Sequence, residues 1–400
     1  MKFEKGQITY FLFLIVLVTA GQLVVDLYLA SMPFIAEKLQ ATPGEVKLTI
    51  PLYLLGFAIS QLIYGPISDA HGRKYILYLG LSLFLAGSLG CLLSFNAQML
   101  VGFRALQGLG AGAGIVATRS IMRDVFHGKM MARVAAMISM LWSVIPMAAP
   151  VLGGYIQEHS TWRMNFIVMS AYTLLTLGAV FLFLKESLPK KHQHPICFPS
   201  VKRRYKVLFT DRTFLAFTFM SSLCSAYFIS FITESPFLLQ EHLNLNPMQY
   251  GWSILSVAIG AILGAKICSL IVRHMRIVNL LALGILIQIS STLALFLLAH
   301  FVFNVQAVVI PIFIASLGSG LISPNCTTGA MTPYRHKAGM AGAAYGSIQM
   351  FFSFSFSFII SHVPATNAYP LSIVLLIIIA LITALYLFEI RPNFIEEEHH

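Results

Sequence analysis

Charged residues are scarce in this chain, at 10% of its 400 residues, whereas soluble domains carry about 25%. Because 58% of the residues are apolar, too few charges remain to cover a water-facing surface, which excludes an ordinary soluble domain. The composition instead predicts a polytopic membrane protein.

Cysteine is also rare, and no pair of cysteines has the spacing of metal ligands. The sequence contains no Walker loop and no arrangement of a nucleophile with a base. We therefore expect no enzyme, no bound metal and no organic cofactor. The five cysteines are Cys91, Cys197, Cys224, Cys268 and Cys326.

Long apolar runs are abundant, and each of the twelve is long enough to cross a bilayer as a helix. Runs of this length exceed a barrel strand, and lipid tolerates no open sheet edge, so the predicted fold class is all-α. The same reasoning overrules the period-2 alternation of FFSFSFSF at 351–358, which would otherwise indicate a strand. The predicted spans are 7–33, 46–66, 75–94, 97–119, 132–157, 163–184, 213–236, 249–270, 278–299, 303–330, 338–361 and 367–388.

Positive charge is distributed unequally between alternate loops. The net charge of +11 does not indicate nucleic-acid binding, because 21 of the 26 Lys and Arg residues fall in segments on one side of the predicted membrane. Only Lys38, Lys47 and Arg163 fall in loops on the other side. By the positive-inside rule both termini are predicted to face the cytoplasm.

A polar segment at 185–212 separates six spans from six. It divides the chain into an N-terminal half, 1–184, and a C-terminal half, 213–388, followed by a cytoplasmic tail at 389–400. Two six-helix halves in the same orientation predict a pseudo-symmetric transporter with its site between them near the midplane.

A partial internal repeat supports this division. The segment SMPFIAEKLQATPGE at 31–45 is similar to ESPFLLQEHLNLNPMQ at 234–249, and both contain a Pro-Phe pair followed by a second proline. The segment NAQMLVGFRALQGLGAG at 96–112 is similar to NVQAVVIPIFIASLGSG at 304–320. The order of the two matches is the same in both halves.

Asp26 and Arg104 are charged residues inside predicted spans. Asp26 lies seven residues before the outer end of its span and Arg104 six residues after the outer start of span 4, so both lie about 10 Å below the boundary. Gln22 and Gln107 lie on the same helical faces. A charge inside a bilayer is costly and usually marks a substrate or proton pathway, although a purely structural ion pair is the alternative.

Glu234 lies at the predicted outer end of span 7. Its position suits either a hydrated rim carboxylate or a second site that attracts cations or protons, and the sequence leaves both interpretations open.

The stretch YGPISDAHGRKYIL at 64–77 resembles the loop 2–3 signature of the major facilitator superfamily. Gly65 and Gly72 are expected to permit a tight cytoplasmic turn, and Asp69 lies at the end of span 2. Arg73 and Lys74 begin span 3. Ala70 stands where the first basic residue of the signature is usual, which leaves Arg73 as the partner of Asp69.

Two further stretches resemble motifs of drug exporters. FRALQGLGAGAG at 103–114 is similar to their span 4 motif and contains interleaved GxxxG spacings suited to close helix contact. WSVIPMAAPVLGGYI at 142–156 resembles the antiporter motif of span 5, with Pro146, Pro150, Gly153 and Gly154 in place. Together with DLYLASMP at 26–33 and ATRSIMRDVFHGKMMAR at 117–133, these features resemble the Bcr/CflA, or bicyclomycin-resistance-like, branch of drug:proton antiporters.

The resemblance implies an inner-membrane exporter that admits protons as it expels a small, amphipathic, drug-like molecule. Asp26 would be the proton-coupling acid and Arg104 its partner, because burial favours the neutral acid and a nearby cation favours the carboxylate. The segment Gly65–Lys74 would form the cytoplasmic gate latch, and Pro146–Gly154 the bend and close-packing region of span 5. The expected partners are a small-molecule substrate, protons and membrane lipid, with no nucleic acid, and the expected state is a monomer.

Three other functions remain open at the level of sequence. The same scaffold suits a dedicated exporter of one metabolite, such as a siderophore or amino-acid derivative. It also suits a proton-coupled importer, or a membrane sensor that transports nothing.

The charge asymmetry makes a direct prediction about topology. On a background without the native cysteines, Thr42→Cys should react with an impermeant thiol reagent from outside the cell, and Ser200→Cys only after permeabilisation. The measurement is gel-shift labelling of intact and permeabilised cells, and the reversed pattern would contradict the predicted orientation.

Overall fold

The computed structural model describes residues 7–188, 198–302, 304–364 and 367–392, and the regular elements in these ranges are helices. Twelve of them are long, which agrees with the predicted number of spans. In chain order they are α1 (Gln7–Asp26), α2 (Thr49–His71), α3 (Arg73–Leu92), α4 (Ala97–Val125), α5 (Gly128–His159), α6 (Trp162–Phe183), α7 (Arg212–Phe237), α8 (Pro247–Ile271), α9 (Ile277–Phe301), α10 (Val305–Met331), α11 (Ala338–Ser361) and α12 (Tyr369–Leu385).

The helices have the length and composition of membrane spans. Counting only described residues, ten of them are long and apolar enough to cross a bilayer. The other two, α1 and α5, are 20 and 32 residues long, which is also sufficient for the hydrocarbon core. The predicted all-α polytopic fold is confirmed, and the FFSFSFSF stretch lies within helix α11.

Corresponding helices in the two halves begin in the same way. Thr42 and Asn246 each form a capping box at a helix whose first residue is proline. Asn96 and Asn304 each accept a hydrogen bond from the backbone N–H three residues on, which starts α4 and α10. The similarity between the halves therefore includes the side chains that start their helices.

Span 1 is interrupted, although the sequence predicts a continuous run over 7–33. Helix α1 ends at Asp26, a short 3₁₀ turn follows at Leu29–Ser31, and a second helix covers Met32–Lys38. Pro33 lies in the first turn of that second helix, where its missing N–H leaves no hydrogen bond unmade. The residues on both sides of Asp26 are mostly apolar, which is why hydropathy does not reveal the break.

The central segment 185–212 also differs from the loop that the sequence predicts, because Phe198–Thr210 is helical. Tyr205 on this helix donates a hydrogen bond from its hydroxyl to the Leu62 carbonyl oxygen of α2, at 3.3 Å. The connection between the halves is thus docked on the first half over its helical part. Residues 189–197 of the segment lie outside the described ranges.

Glycines on α4 allow its backbone to approach α2 and α3. An added Cβ at Gly108 would collide with the Tyr53 carbonyl oxygen of α2, and one at Gly110 with the Phe84 amide of α3. The reciprocal position Gly56 on α2 faces the Ala105 carbonyl oxygen of α4 in the same way. This confirms the close helix contact expected from the interleaved GxxxG spacing.

The two halves meet along two helix pairs, α2 with α11 and α5 with α8. In the first pair the Ser347 hydroxyl donates a hydrogen bond to the Ala58 carbonyl oxygen at 2.8 Å. In the second pair an added Cβ at Gly251 would lie 2.6 Å from the Pro150 carbonyl oxygen. Both contacts are close, and a site between the halves is therefore bounded by these four helices.

The α2–α4 contact predicts a sharp difference between two glycines of the same helix. Gly108→Ala should destabilise the protein by about 1–3 kcal/mol, because the new methyl group forces the helices apart. Gly102→Ala is the matched control, since its Cβ meets nothing within 4 Å and alanine is the better helix former by about 1 kcal/mol. Thermal unfolding of the detergent-purified variants measures both effects, and equal melting temperatures would contradict the packing.

Candidate functional site

Asp26 is the last residue of α1, and only 9% of its surface is exposed. The unpaired carbonyl groups at a helix C-terminus disfavour a carboxylate there. Helix α5 passes close to the break, because an added Cβ at Gly153 would collide with the Leu27 carbonyl oxygen. The close-packing role expected for the span 5 motif is thus realised directly beside Asp26.

Arg104 is fully buried on α4 and is held by aromatic rings on two sides. The centre of its guanidinium group lies 4.3 Å from the ring centroid of Tyr28 and 4.5 Å from that of Tyr53. Such stacking is a cation–π interaction, which strengthens when the cation is removed from water. The two rings fix the plane of the guanidinium group.

Gln107 holds Arg104 from within the same helix. Its side-chain oxygen accepts a hydrogen bond from Nη1 of Arg104, and its Nε2 donates to the Ser88 hydroxyl of α3 at 2.7 Å. The prediction that Gln107 lies beside Arg104 on the same helical face is therefore confirmed, and the two side chains are in direct contact.

Asp26 and Arg104 come into electrostatic range of each other, but they do not form the closed ion pair that a purely structural role would require. Among the described residues the ion pairs shorter than 4 Å do not include either side chain. Among the described residues, Nε and Nη2 of Arg104 are buried and have no hydrogen-bond acceptor. A ligand oxygen or a water molecule could satisfy these two donors.

Tyrosines from both halves surround this pair. Tyr53 of α2 and Tyr250 of α8 are fully buried and lie within electrostatic range of Asp26. The Tyr53 hydroxyl has no partner in the described part of the chain, whereas the Tyr250 hydroxyl contacts that of Ser235 at 3.1 Å. The sequence does not single out Tyr250, because its role depends on the meeting of α8 with the first half.

Two predicted site residues lie at the edge of what the structure describes. The side chains of Gln22 and Pro146 are outside the described residues, so their predicted roles stay predictions. Pro150 and Gly154 of the span 5 motif both face α8. An added Cβ at Gly154 would collide with the Pro247 carbonyl oxygen there.

The predicted cytoplasmic motif forms a tight cluster around Arg73, which is 2% exposed. Its Nη1 donates to Asp69 at 2.6 Å, as the sequence predicts, and its Nε donates to Asp124 of α4 at 3.0 Å. The Glu186 carboxylate accepts hydrogen bonds from the backbone N–H groups of Arg73 and Lys74. Asp124 and Glu186 are missed by the motif alone, because they come from distant parts of the sequence.

The two motif glycines have different roles, which corrects the prediction of a turn containing both. Gly72 has a φ of +97°, a conformation that favours glycine, and it separates α2 from α3. Gly65 lies inside α2, which continues to His71 and accommodates Pro66 within it. The turn is therefore a single residue at Gly72.

Glu234 is buried, which excludes the hydrated rim carboxylate considered above. Its Oε2 lies 2.7 Å from Nζ of Lys47, and both side chains are at most 2% exposed. Lys47 belongs to the short helix Pro43–Lys47, which comes just before α2 and packs against the second half. The sequence places Lys47 in an outer loop, where its partner cannot be inferred.

A cavity of about 750 Å³ lies elsewhere, between α9 and α12. Apolar side chains line most of it, and the polar lining residues include Arg276 and Arg391. It shares no lining residue with the Asp26–Arg104 region and does not extend that site.

Comparison with known proteins gives matches along most of the chain. The family description Major Facilitator Superfamily matches residues 12–360. A Bacillus subtilis (strain 168) protein named uncharacterized MFS-type transporter YdgK is 31% identical over 82% of this chain and 83% of its own length.

Two further relatives have functional names. Multidrug resistance protein D of Escherichia coli (strain K12) is 27% identical over 86% of both chains. The bicyclomycin resistance protein homolog of Haemophilus influenzae is 26% identical over 87% of this chain and 88% of its own. A solved structure of the E. coli xylose transporter XylE, described as partially occluded and inward open, has a TM-score of 0.70 over 95% of this chain and 97% of its own, with 13% identity. At that identity the match supports the fold alone.

The Arg73 cluster predicts unequal effects of two carboxylate substitutions. Asp124→Asn should lower stability by about 3 kcal/mol, because it leaves a buried guanidinium group underpaired. Asp69→Asn should lower stability by less than about 1 kcal/mol. The Asp69 side chain is 62% exposed, so water already screens its attraction to Arg73. Thermal unfolding in detergent measures the difference, and a larger effect at Asp69 would contradict the assignment of Asp124 as the main partner.

Proposed function

The chain belongs to the major facilitator superfamily, and from that premise we propose that it is a proton-coupled exporter of small, amphipathic, drug-like molecules. The observation that carries this proposal is Asp26, a buried carboxyl group that lies within electrostatic range of Arg104 in the first half and of Tyr250 in the second. The names of multidrug resistance protein D and of the bicyclomycin resistance homolog support the same kind of cargo.

Asp26 is the proposed proton carrier of the cycle. Inside the closed site its burial and its place at a helix end favour the neutral acid, while the Arg104 charge favours the carboxylate. A movement of α1 relative to α4 changes the balance between these opposing effects. Protonation from outside and release to the cytoplasm then require only a small change in the distance between the two side chains.

Arg104 is the proposed fixed cation. Its charge stays in place because Tyr28, Tyr53 and Gln107 hold the guanidinium group on three sides. The Nε and Nη2 donors are available to an acceptor group on the substrate. A substrate that binds there and the deprotonated Asp26 compete for the same cation, which would link cargo to proton.

The aromatic surroundings indicate the class of cargo. Tyr28, Tyr53 and Tyr250 supply flat apolar surface with a hydroxyl at one end. Such walls suit a molecule with an aromatic or aliphatic body and a few hydrogen-bonding groups. This agrees with a drug-like substrate better than with a sugar, which would require many paired polar groups.

The cytoplasmic cluster is proposed to keep the first half rigid during the cycle. Arg73 binds α2 and α4 together, and Glu186 attaches the start of α3 to the segment after α6. Helices held in this way move as one body. We place this cluster in the cytoplasm and both termini with it, in the bacterial inner membrane, following the charge asymmetry of the loops.

The decisive test is export from proteoliposomes under an imposed proton gradient, measured with a panel of neutral and cationic aromatic compounds. Asp26→Asn should abolish proton-driven export while leaving the protein folded, because an amide cannot exchange the proton. Glu37→Gln is the matched control, since it makes the same chemical change at a carboxylate that is 70% exposed. That variant should retain wild-type export.

Several results would overturn the proposal. Full proton-driven export by a folded Asp26→Asn protein would exclude Asp26 as the coupling acid. Accumulation of compounds in the direction of the proton gradient would identify an importer. Export of a single compound from the panel would identify a dedicated exporter.

A further inference from the structure

Lys47 and Glu234 form a buried ion pair between the two halves of the protein. The 2.7 Å contact joins the short helix before α2 to the outer end of α7, and both side chains are at most 2% exposed. We refer to this pair, together with its acceptor at Val363, as the outer lock. Its two charged members are separated by 187 positions in the chain.

Lys47 is anchored to the second half at more than one point. Its Nζ also donates to the Val363 carbonyl oxygen at 3.1 Å, and it lies 5.8 Å from the ring centroid of Phe237. An added Cβ at Gly44, in the same short helix, would lie 3.0 Å from the Ser361 carbonyl oxygen. The outer ends of α7 and α11 are therefore both closed against the first half around one ammonium group.

The energetics of such a pair make it sensitive to charge. Desolvation of two ions offsets much of their attraction, so a buried pair contributes little net stability compared with apolar packing. If one partner loses its charge, the other remains buried without compensation. The closed arrangement is thus stable only while both charges are present, and separation in water is the alternative.

We propose that Glu234 is a second protonatable residue of the transport cycle, and that its protonation from the outside opens the outer lock. This inference rests on the proposed function only in that a rocking exporter must separate its halves at the outer face. The proton that neutralises Glu234 removes the partner of Lys47, and the halves then part so that the ammonium group reaches water.

The charged and titratable groups around the lock are consistent with this order of events. In the described part of the chain, Lys47 faces Glu234 directly and also lies within electrostatic range of Glu241, an exposed carboxylate in the turn after α7. His242 is exposed beside Glu241, and Tyr250 is connected through Ser235 next to Glu234. Once Glu234 is neutral, Glu241 is the remaining acidic partner, and it draws Lys47 toward the water.

The test measures the distance between the halves at the outer face. Spin labels at Phe95 and Phe301 report on it, because these side chains are 73% and 77% exposed and belong to opposite halves. Pulsed electron–electron double resonance measures the distance between the two labels. It is recorded on the full chain without native cysteines, in lipid nanodiscs without substrate, at neutral and at acidic pH. Acidification should shift the wild-type distribution to longer distances, since protonated Glu234 no longer holds Lys47.

Variants separate the lock from other titrating groups. Glu234→Gln imitates the protonated state, so it should raise the long-distance fraction about tenfold or more at neutral pH and abolish the response to acid. The double variant Lys47→Glu with Glu234→Lys should restore the short distances at neutral pH. Glu37→Gln, which alters the exposed pair with Lys38, is the control and should behave as wild type.

Each failure has a distinct meaning. Short distances in Glu234→Gln, or a wild-type distribution that ignores pH, would overturn the lock. A lower melting temperature of Glu234→Gln with unchanged distances would identify the pair as a structural contact and would likewise overturn it. The acid response should persist in Asp26→Asn, so loss of proton coupling through Asp26 leaves this inference standing, and loss of the response in that variant would overturn it.

Discussion

The burial of positive charge is the constraint on which this structure depends. Arg104, Lys47 and Arg73 are each at most 2% exposed, and the charge of each is compensated in a different way. Arg104 is stacked between rings, Lys47 is paired across the two halves, and Arg73 is paired within one half. Because none of these charges can stay buried alone, each one fixes the arrangement of the helices that supply its partners.

Hydropathy and local motifs predict what depends on nearby residues. The twelve helices follow from run length, and even FFSFSFSF becomes a helix because lipid allows no open strand edge. The interleaved glycines of α4 predict its close contacts, because residues four positions apart lie on the same face of a helix and glycines there let another backbone approach. The Asp69–Arg73 pair is predicted because its members lie one turn apart across a single glycine.

What the sequence does not predict depends on contacts between distant segments. Asp124, Glu186 and Tyr250 acquire their roles from helices that lie far from them along the chain. The break after Asp26 is invisible to hydropathy, because every residue around it is compatible with a continuous apolar run. Glu234 shows the same limit most clearly. Its local sequence is compatible with a hydrated position, and only the contact with Lys47 from the other half makes it part of a buried ion pair.

The contact between α5 and α8 has a mechanical consequence. It is formed by backbone atoms at Gly154 and Pro247 and at Gly251 and Pro150, so few side-chain rotamers have to change when one helix turns against the other. Neither of these two contacts contains a titratable group, so they do not respond directly to pH. The α5–α8 contact can therefore act as a pivot between the two halves. The charged contacts on the opposite side would then determine the direction in which the halves tilt.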